Sequence, residues 1–212
     1  MKEEEIERIN PFFSIWLSTR ETVRYVLDHK ELKYSLVIAA IAGIPSAISG
    51  AGELRKSFDI PLLLVLIGII LLGPLLNLVW VYIGAAVYTW VGKWFGGTGK
   101  YKEMLQAIGV VMVTQFWMAP IWILSTIFIY NGFLVFDVVS GINPGAIIWF
   151  LVLNLITLTF SIWVIIIQSK AIGEVHQFSS WKGFWTLIIP SIVIGIIVFI
   201  VTFIIVSSIM TG

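Results

Sequence analysis

Long apolar runs free of charge alternate along this chain with short charged stretches. No Asp, Glu, Lys or Arg falls between Lys33 and Glu53, Asp59 and Lys93, Glu103 and Asp137, Asp137 and Lys170, or after Lys182. Each gap holds the ~20 apolar residues that a helix needs to cross a bilayer. The pattern predicts an all-α polytopic membrane protein with five transmembrane helices, at about 34–52, 60–92, 105–130, 146–168 and 184–210. Residues 1–33 form a short amphipathic segment ahead of a single membrane domain, 34–212.

The second run is too long for one plain crossing. At 1.5 Å per residue it would measure roughly 50 Å against a ~30 Å hydrocarbon core. It is either one projecting helix, kinked near Gly73-Pro74, or two short crossings. Charge distinguishes the two. With five spans, the N-terminal segment and the loops at 93–104 and 169–183 share one side and carry 6, 3 and 2 Lys or Arg; the other side has only Arg55 and Lys56. A hairpin would nearly equalise the sides, against the positive-inside rule. One long second helix is therefore expected, with the N-terminus cytoplasmic and the C-terminus extracytoplasmic. Trp90, Trp94, Trp181 and Trp185 fall near the predicted cytoplasmic boundary, where amphipathic rings concentrate. Trp80, Trp117 and Trp122 lie deeper and read as packing or lipid contacts.

Composition agrees with the pattern: 59% of residues are hydrophobic, 12% are charged, and mean hydropathy is +1.01. Soluble domains carry about 25% charged residues. With no cysteine, disulfides and thiolate chemistry are excluded. The first long apolar run begins near Tyr34, late and long for a signal-peptide core, so no cleavable signal is expected. No span carries an ionisable residue near its middle, which argues against proton-coupled transport. No H-E-x-x-H or pair of buried aspartates is present. No catalytic residue, metal ligand, cofactor or nucleic-acid partner is expected.

The stretch GKWFGGTGKYKE at 92–103 invites comparison with a phosphate-binding loop. A Walker A loop is G-x-x-x-x-G-K-[ST], between a strand and a helix. Here Tyr101 follows Gly99-Lys100, and Trp94 stands where the first glycine belongs. The glycines instead end the second span, where left-handed backbone is needed. Thr98 or Gly99 starts the next helix. Lys93, Lys100 and Lys102 are placed at headgroup level, open to anionic lipid or a partner.

In the N-terminal segment, Phe12, Phe13, Ile15, Trp16 and Leu17 are placed to dip into the interface. Ser18 and Glu21 have capping-box spacing, so a helix should run from about Thr19. Along it, Arg20 precedes Arg24 by four positions and Arg24 precedes Asp28 by four, while Val23, Val26 and Leu27 face the other way. The segment reads either as an interfacial anchor or as a docking surface presenting Arg20 and Arg24. In the 169–183 loop, Gly173 can close the fourth helix, and Ser179 or Ser180 can cap the fifth. His176 beside Glu174 reads as a surface or capping histidine, with pH sensing the sharper alternative. Lys182 joins the candidate lipid or partner contacts.

Inside the spans, Asn77, Gln115 and Asn154 lead a set of polar groups that includes Gln168. They tie helices together or line a substrate path. Ala39, Gly43 and Ala47 recur every four residues, with Ala42, Ser46 and Gly50 in a second row, and allow close approach by a helix of this chain or of another subunit.

The motifs NPFFSIWLSTRETVRYVLD at 10–28, GGTGKYKEMLQAIG at 96–109 and GEVHQFSSWKGFWTLIIP at 173–190 resemble the YIPF family, five-span Ypt/Rab-GTPase-interacting membrane proteins, in its prokaryotic branch. Thr19 stands where that branch usually has proline. The resemblance implies a non-enzymatic membrane adaptor or accessory subunit, assisting a partner such as an export-type transporter or organising the membrane. It supplies no catalytic residue. Members that bind GTPases carry a long N-terminal region, whereas this chain has about 33 residues there, so GTPase binding is not carried over. The expected setting is a prokaryotic cell membrane, with lipids and another membrane protein, or a second copy, as partners. The alternative function is a transporter or channel for a lipid or apolar solute, lined by Asn77, Gln115 and Asn154.

Overall fold

The computed structural model describes residues 9–58, 60–130 and 144–211. The charged run at 1–8 and the loop at 131–143, with Asp137, lie outside the described residues, as do the side chains of Arg55 and Lys56. All described elements are helices: α1 (Pro11–Ser14), α2 (Thr19–His29), α3 (Leu32–Phe58), α4 (Leu62–Trp94), α5 (Tyr101–Val111), α6 (Val113–Tyr130), α7 (Pro144–Val175) and α8 (Ser180–Thr211). Among the described residues, four stretches are long and apolar enough to cross a membrane, the second of them running through α5 and α6. A shorter apolar helix, Leu32–Ile48, corresponds to the first predicted span. The chain is a polytopic helical membrane protein.

The second run is one continuous helix, α4, with Pro74 inside it. The third is broken at Met112, which ends α5 before α6 begins. The predicted capping box is absent: Ser18 occupies the N-cap of α2 without a side-chain cap bond. The Thr22 hydroxyl lies at the same corner, bonded to the Ser18 carbonyl at 2.9 Å and the Ser14 hydroxyl at 2.8 Å, and leaves the helix's first N–H groups uncapped by Ser18.

Two tiers with different solvents result. In α8, every residue from Ser191 to Val206 is exposed, and almost all are apolar. The apolar windows of α4 and α7 bury little more within the chain. These faces suit a lipid environment, where no hydrophobic force drives helices together. At the other end the chain packs as a core. All eight residues from Met104 to Val111 of α5 are buried, as befits a helix enclosed on every side. Helices α2, α3, α4 and α7 surround it. Gln106 Nε2 donates to the carbonyls of Val26 (2.8 Å) and Lys30 (2.7 Å) at the end of α2, where the Val26 carbonyl also accepts the Lys30 N–H at 3.0 Å.

The N-terminal piece docks more deeply than an interfacial anchor would. Ile15 is fully buried. Phe12 and Trp16 pack on Trp117 with centroids 5.3 and 6.0 Å away, and Trp16 also meets Phe160 at 5.2 Å. Only Phe13 and Leu17 of the five apolar residues remain exposed.

The small-residue ridge has its partner within the chain. A Cβ on Gly43 would overlap the Gly73 carbonyl oxygen and stand 2.8 Å from the Pro74 Cα. A Cβ on Gly73 would lie 3.1 Å from that of Ala47. One turn away, Asn77 Nδ2 donates to the Ala39 carbonyl at 2.6 Å. The second row is divided: Ala42 is buried, while Gly50 is exposed with nothing near its Cβ position. Gly43→Ala should therefore destabilise the chain by about 1–3 kcal/mol through overpacking. Gly195→Ala, at an open position on α8, should stabilise it by up to about 1 kcal/mol through helix propensity. Denaturant unfolding in mixed micelles measures both signs.

Candidate functional site

The three motifs, distant in sequence, meet at the packed end of the bundle. At the end of α4, Gly96 takes the left-handed conformation (φ 79°), as the glycine cluster predicted. The chain doubles back with the Gly97 N–H bonded to the Gly92 carbonyl at 3.0 Å. The space so left is filled by a side chain from another loop.

That side chain is His176. It is 1% exposed, correcting the surface or capping placement expected for its side chain. Cβ atoms on Gly92 or Gly97 would overlap its ring, and one on Gly99 would lie 3.0 Å from Nδ1. Phe178 stacks on the ring with centroids 5.1 Å apart. The Gly99 N–H donates to Nδ1 at 3.2 Å, and Nε2 faces the Tyr88 carbonyl at 3.1 Å. A backbone N–H can only donate and a carbonyl can only accept, so the ring is the neutral Nε2–H tautomer. Burial lowers its pKa below the usual histidine value; the bond to the Tyr88 carbonyl opposes this shift and the Lys93 charge adds to it. With both nitrogens engaged by main chain, the imidazole has no free lone pair for a metal or for a proton from substrate.

The turn bearing His176 is a Schellman motif. The Gln177 N–H bonds the Glu174 carbonyl at 3.3 Å, and the Phe178 N–H bonds the Gly173 carbonyl at 3.0 Å. Its left-handed residue is Gln177 (φ 57°), so α7 runs two residues past the glycine predicted to close it. Gly173 serves another need: a Cβ there would lie 2.8 Å from an Arg20 nitrogen.

Arg20 and Arg24 converge on one carboxylate. Arg20 bonds Glu174 Oε2 at 3.1 Å, and Arg24 reaches Oε1 through Nε at 2.9 Å and through a terminal nitrogen at 2.5 Å. Arg20 also donates to the Phe178 carbonyl (2.8 Å) and the Ser180 hydroxyl (3.2 Å). One guanidinium thus joins α2, the end of α7 and the start of α8. Asp28 stands four residues from Arg24, but the carboxylate that Arg24 binds is Glu174 from another helix. Lys182 Nζ donates to the Phe95 carbonyl at 3.1 Å, clamping α8 to the end of α4. Lys93, Lys100 and Lys102 are exposed; Lys100 has a loose pair with Glu103 at 3.9 Å.

Among the described residues, Asn77, Gln115 and Asn154 share no hydrogen bond with one another. Asn77 is engaged by α3, Asn154 bonds the Phe150 carbonyl of its own helix at 2.8 Å on an exposed face, and Gln115 sits half-buried on α6. Glu174, the glycine cradle and the left-handed Gln177 went unassigned as site features in the sequence. The one available signal was the density of glycines around 92–99, which marks close approach without naming the approaching group.

The fold and this stitched end define a polytopic helical membrane protein with a packed cap of short motifs at one end. The family model of the Yip1 domain matches residues 13–202, and the chain belongs to that family. Comparison with curated proteins and with solved structures returned no match.

Two outcomes follow from the geometry. Since the folded chain favours the neutral ring, His176 takes up its proton at lower pH folded than unfolded. Its contribution is complete above the unfolded value of 6.5 and declines as pH falls from there towards the lowered folded value. The unfolding midpoint should therefore drop between pH 7.5 and 5.5, a step removed by His176→Gln and kept by His29→Gln. Separately, Arg20→Ala should cost about 2 kcal/mol, the order expected for losing charged hydrogen bonds at a half-buried site. The more exposed Arg24→Ala should cost about 1 kcal/mol or less. Arg20→Lys should not restore the loss, because an ammonium lacks the planar fork that bridges three partners. Chemical unfolding of the three variants ranks them.

Proposed function

We propose that this chain is a non-enzymatic membrane adaptor whose packed end is cytoplasmic and docks another membrane protein. The excess of Lys and Arg on that side supports the orientation. One observation carries the docking role: Trp90, Trp94, Trp181 and Trp185, on the adjoining ends of α4 and α8, are 62%, 58%, 71% and 47% exposed. Exposed aromatic surface of this size marks an interaction site, and tryptophan is prominent among binding hot spots.

In this reading Arg20, Arg24 and His176 build the platform and do not touch the partner. The exposed Lys93, Lys100 and Lys102 flank the ridge and suit an acidic partner segment or anionic headgroups. The separation of Asn77, Gln115 and Asn154 gives a transport path along them no support. The test is purification of tagged protein from its native membrane in mild detergent, with mass spectrometry of what accompanies it. A stoichiometric membrane partner should be retained by the native chain and reduced about tenfold by the Trp90→Ala/Trp181→Ala double variant. Both forms should share one unfolding midpoint. Recovery without any partner, or a partner indifferent to the variant, would overturn the adaptor reading.

A further inference from the structure

Between α4, α5, α7 and α8 lies a cleft of about 260 Å³ that the docking reading does not use. Its walls are mostly apolar, including Gly84, Ile108 and Met112. Ile83 and Ile194, at its edge, are 50% and 56% exposed and belong to the lipid-facing tier, so the cleft opens towards the bilayer. Besides the Trp80 indole, four polar side chains line it. Two are engaged: Asn77 with the Ala39 carbonyl, and Ser191, whose hydroxyl donates to the Leu187 carbonyl at 3.0 Å. The Tyr88 hydroxyl and the Gln168 amide have no hydrogen-bond partner among the described residues. Both lie near the boundary between the tiers: the Tyr88 carbonyl holds His176, and Ser169, next to Gln168, is buried.

We propose that this cleft binds one acyl chain of an ester-linked membrane lipid, with the ester carbonyl held by Tyr88 and Gln168. An apolar channel open to the bilayer selects a hydrocarbon chain. Two polar groups near the packed tier supply donors for a neutral acceptor at its head. No Lys or Arg lines the cleft, so a carboxylate would be buried without a counter-charge, which disfavours a free fatty acid.

The test uses the full chain in nanodiscs containing phosphatidylcholine with a photoactivatable diazirine on one acyl chain, with labelled sites mapped by mass spectrometry. Labelling should concentrate around Gly84 and Met112 over the exposed face of α8 beyond Ile196. Gly84→Leu fills the cleft, and its Cβ meets nothing closer than the Tyr88 ring at 3.5 Å, so the backbone has no reason to move. It should reduce cleft labelling about tenfold while α8 labelling persists. Gln168→Leu, and an ether-linked phosphatidylcholine probe on the native chain, should each reduce it several-fold. If Gly84→Leu unfolds, Met112→Phe provides the same obstruction from α5. Labelling spread evenly over the apolar tier and indifferent to these variants would overturn the site. Equal labelling by the ether-linked probe, or stronger labelling by a diazirine fatty acid, would overturn the ester assignment.

Discussion

A single imidazole with both nitrogens bound to main chain holds the packed end together. His176 joins the last turns of α4, the loop leading into α5 and the end of α7, and it can do so because Gly92, Gly97 and Gly99 leave a space of its shape. Fixing that turn also fixes Glu174, on the last turn of α7, where the two arginines of α2 meet it. A carboxylate only 14% exposed would be costly alone; with two guanidiniums it becomes the anchor for the N-terminal helix. The cap is therefore hierarchical: glycines admit the histidine, the histidine sets the turn, and the turn presents the carboxylate.

Below this cap the physics changes. The apolar tier has little side-chain packing of its own, and its close helix contact, between α3 and α4, relies on missing side chains and an amide-to-carbonyl bond. That suits a solvent in which leucine gains nothing by leaving lipid. Specific structure is concentrated where water competes, and the lipid-facing helices are left as long stems. The proposed acyl cleft lies where these tiers meet, and there polar groups without partners and lipid access coincide.

Much of the fold was legible in one dimension. The gaps between charges marked the apolar helices, Gly96 marked the end of α4, and the start of α2 at Thr19 could be read although the capping bond thought to cause it is missing. The ridge at Ala39, Gly43 and Ala47 was visible as spacing, but its partner was not. The site was less legible. Helix periodicity shows Asp28 four residues from Arg24 but sees only near neighbours, whereas the carboxylate that Arg24 binds, Glu174, lies 150 residues away. His176 was placed at the surface because a lone histidine in a polar loop has no local sign of burial.

By itself, the sequence determined the membrane class, the helical content and the alternation of stems and charged connections, because these depend on local composition and on the helix pitch. The tertiary structure alone decided that the glycine cluster is a histidine cradle and that the arginines are internal ties. It also decided that α5 is enclosed and that Asn77 and Gln168 line one cleft without Gln115 or Asn154. Those outcomes depend on which helix faces meet and at what height. Residues 77 apart, such as Gly99 and His176, are brought within hydrogen-bonding distance by packing that no local spacing encodes.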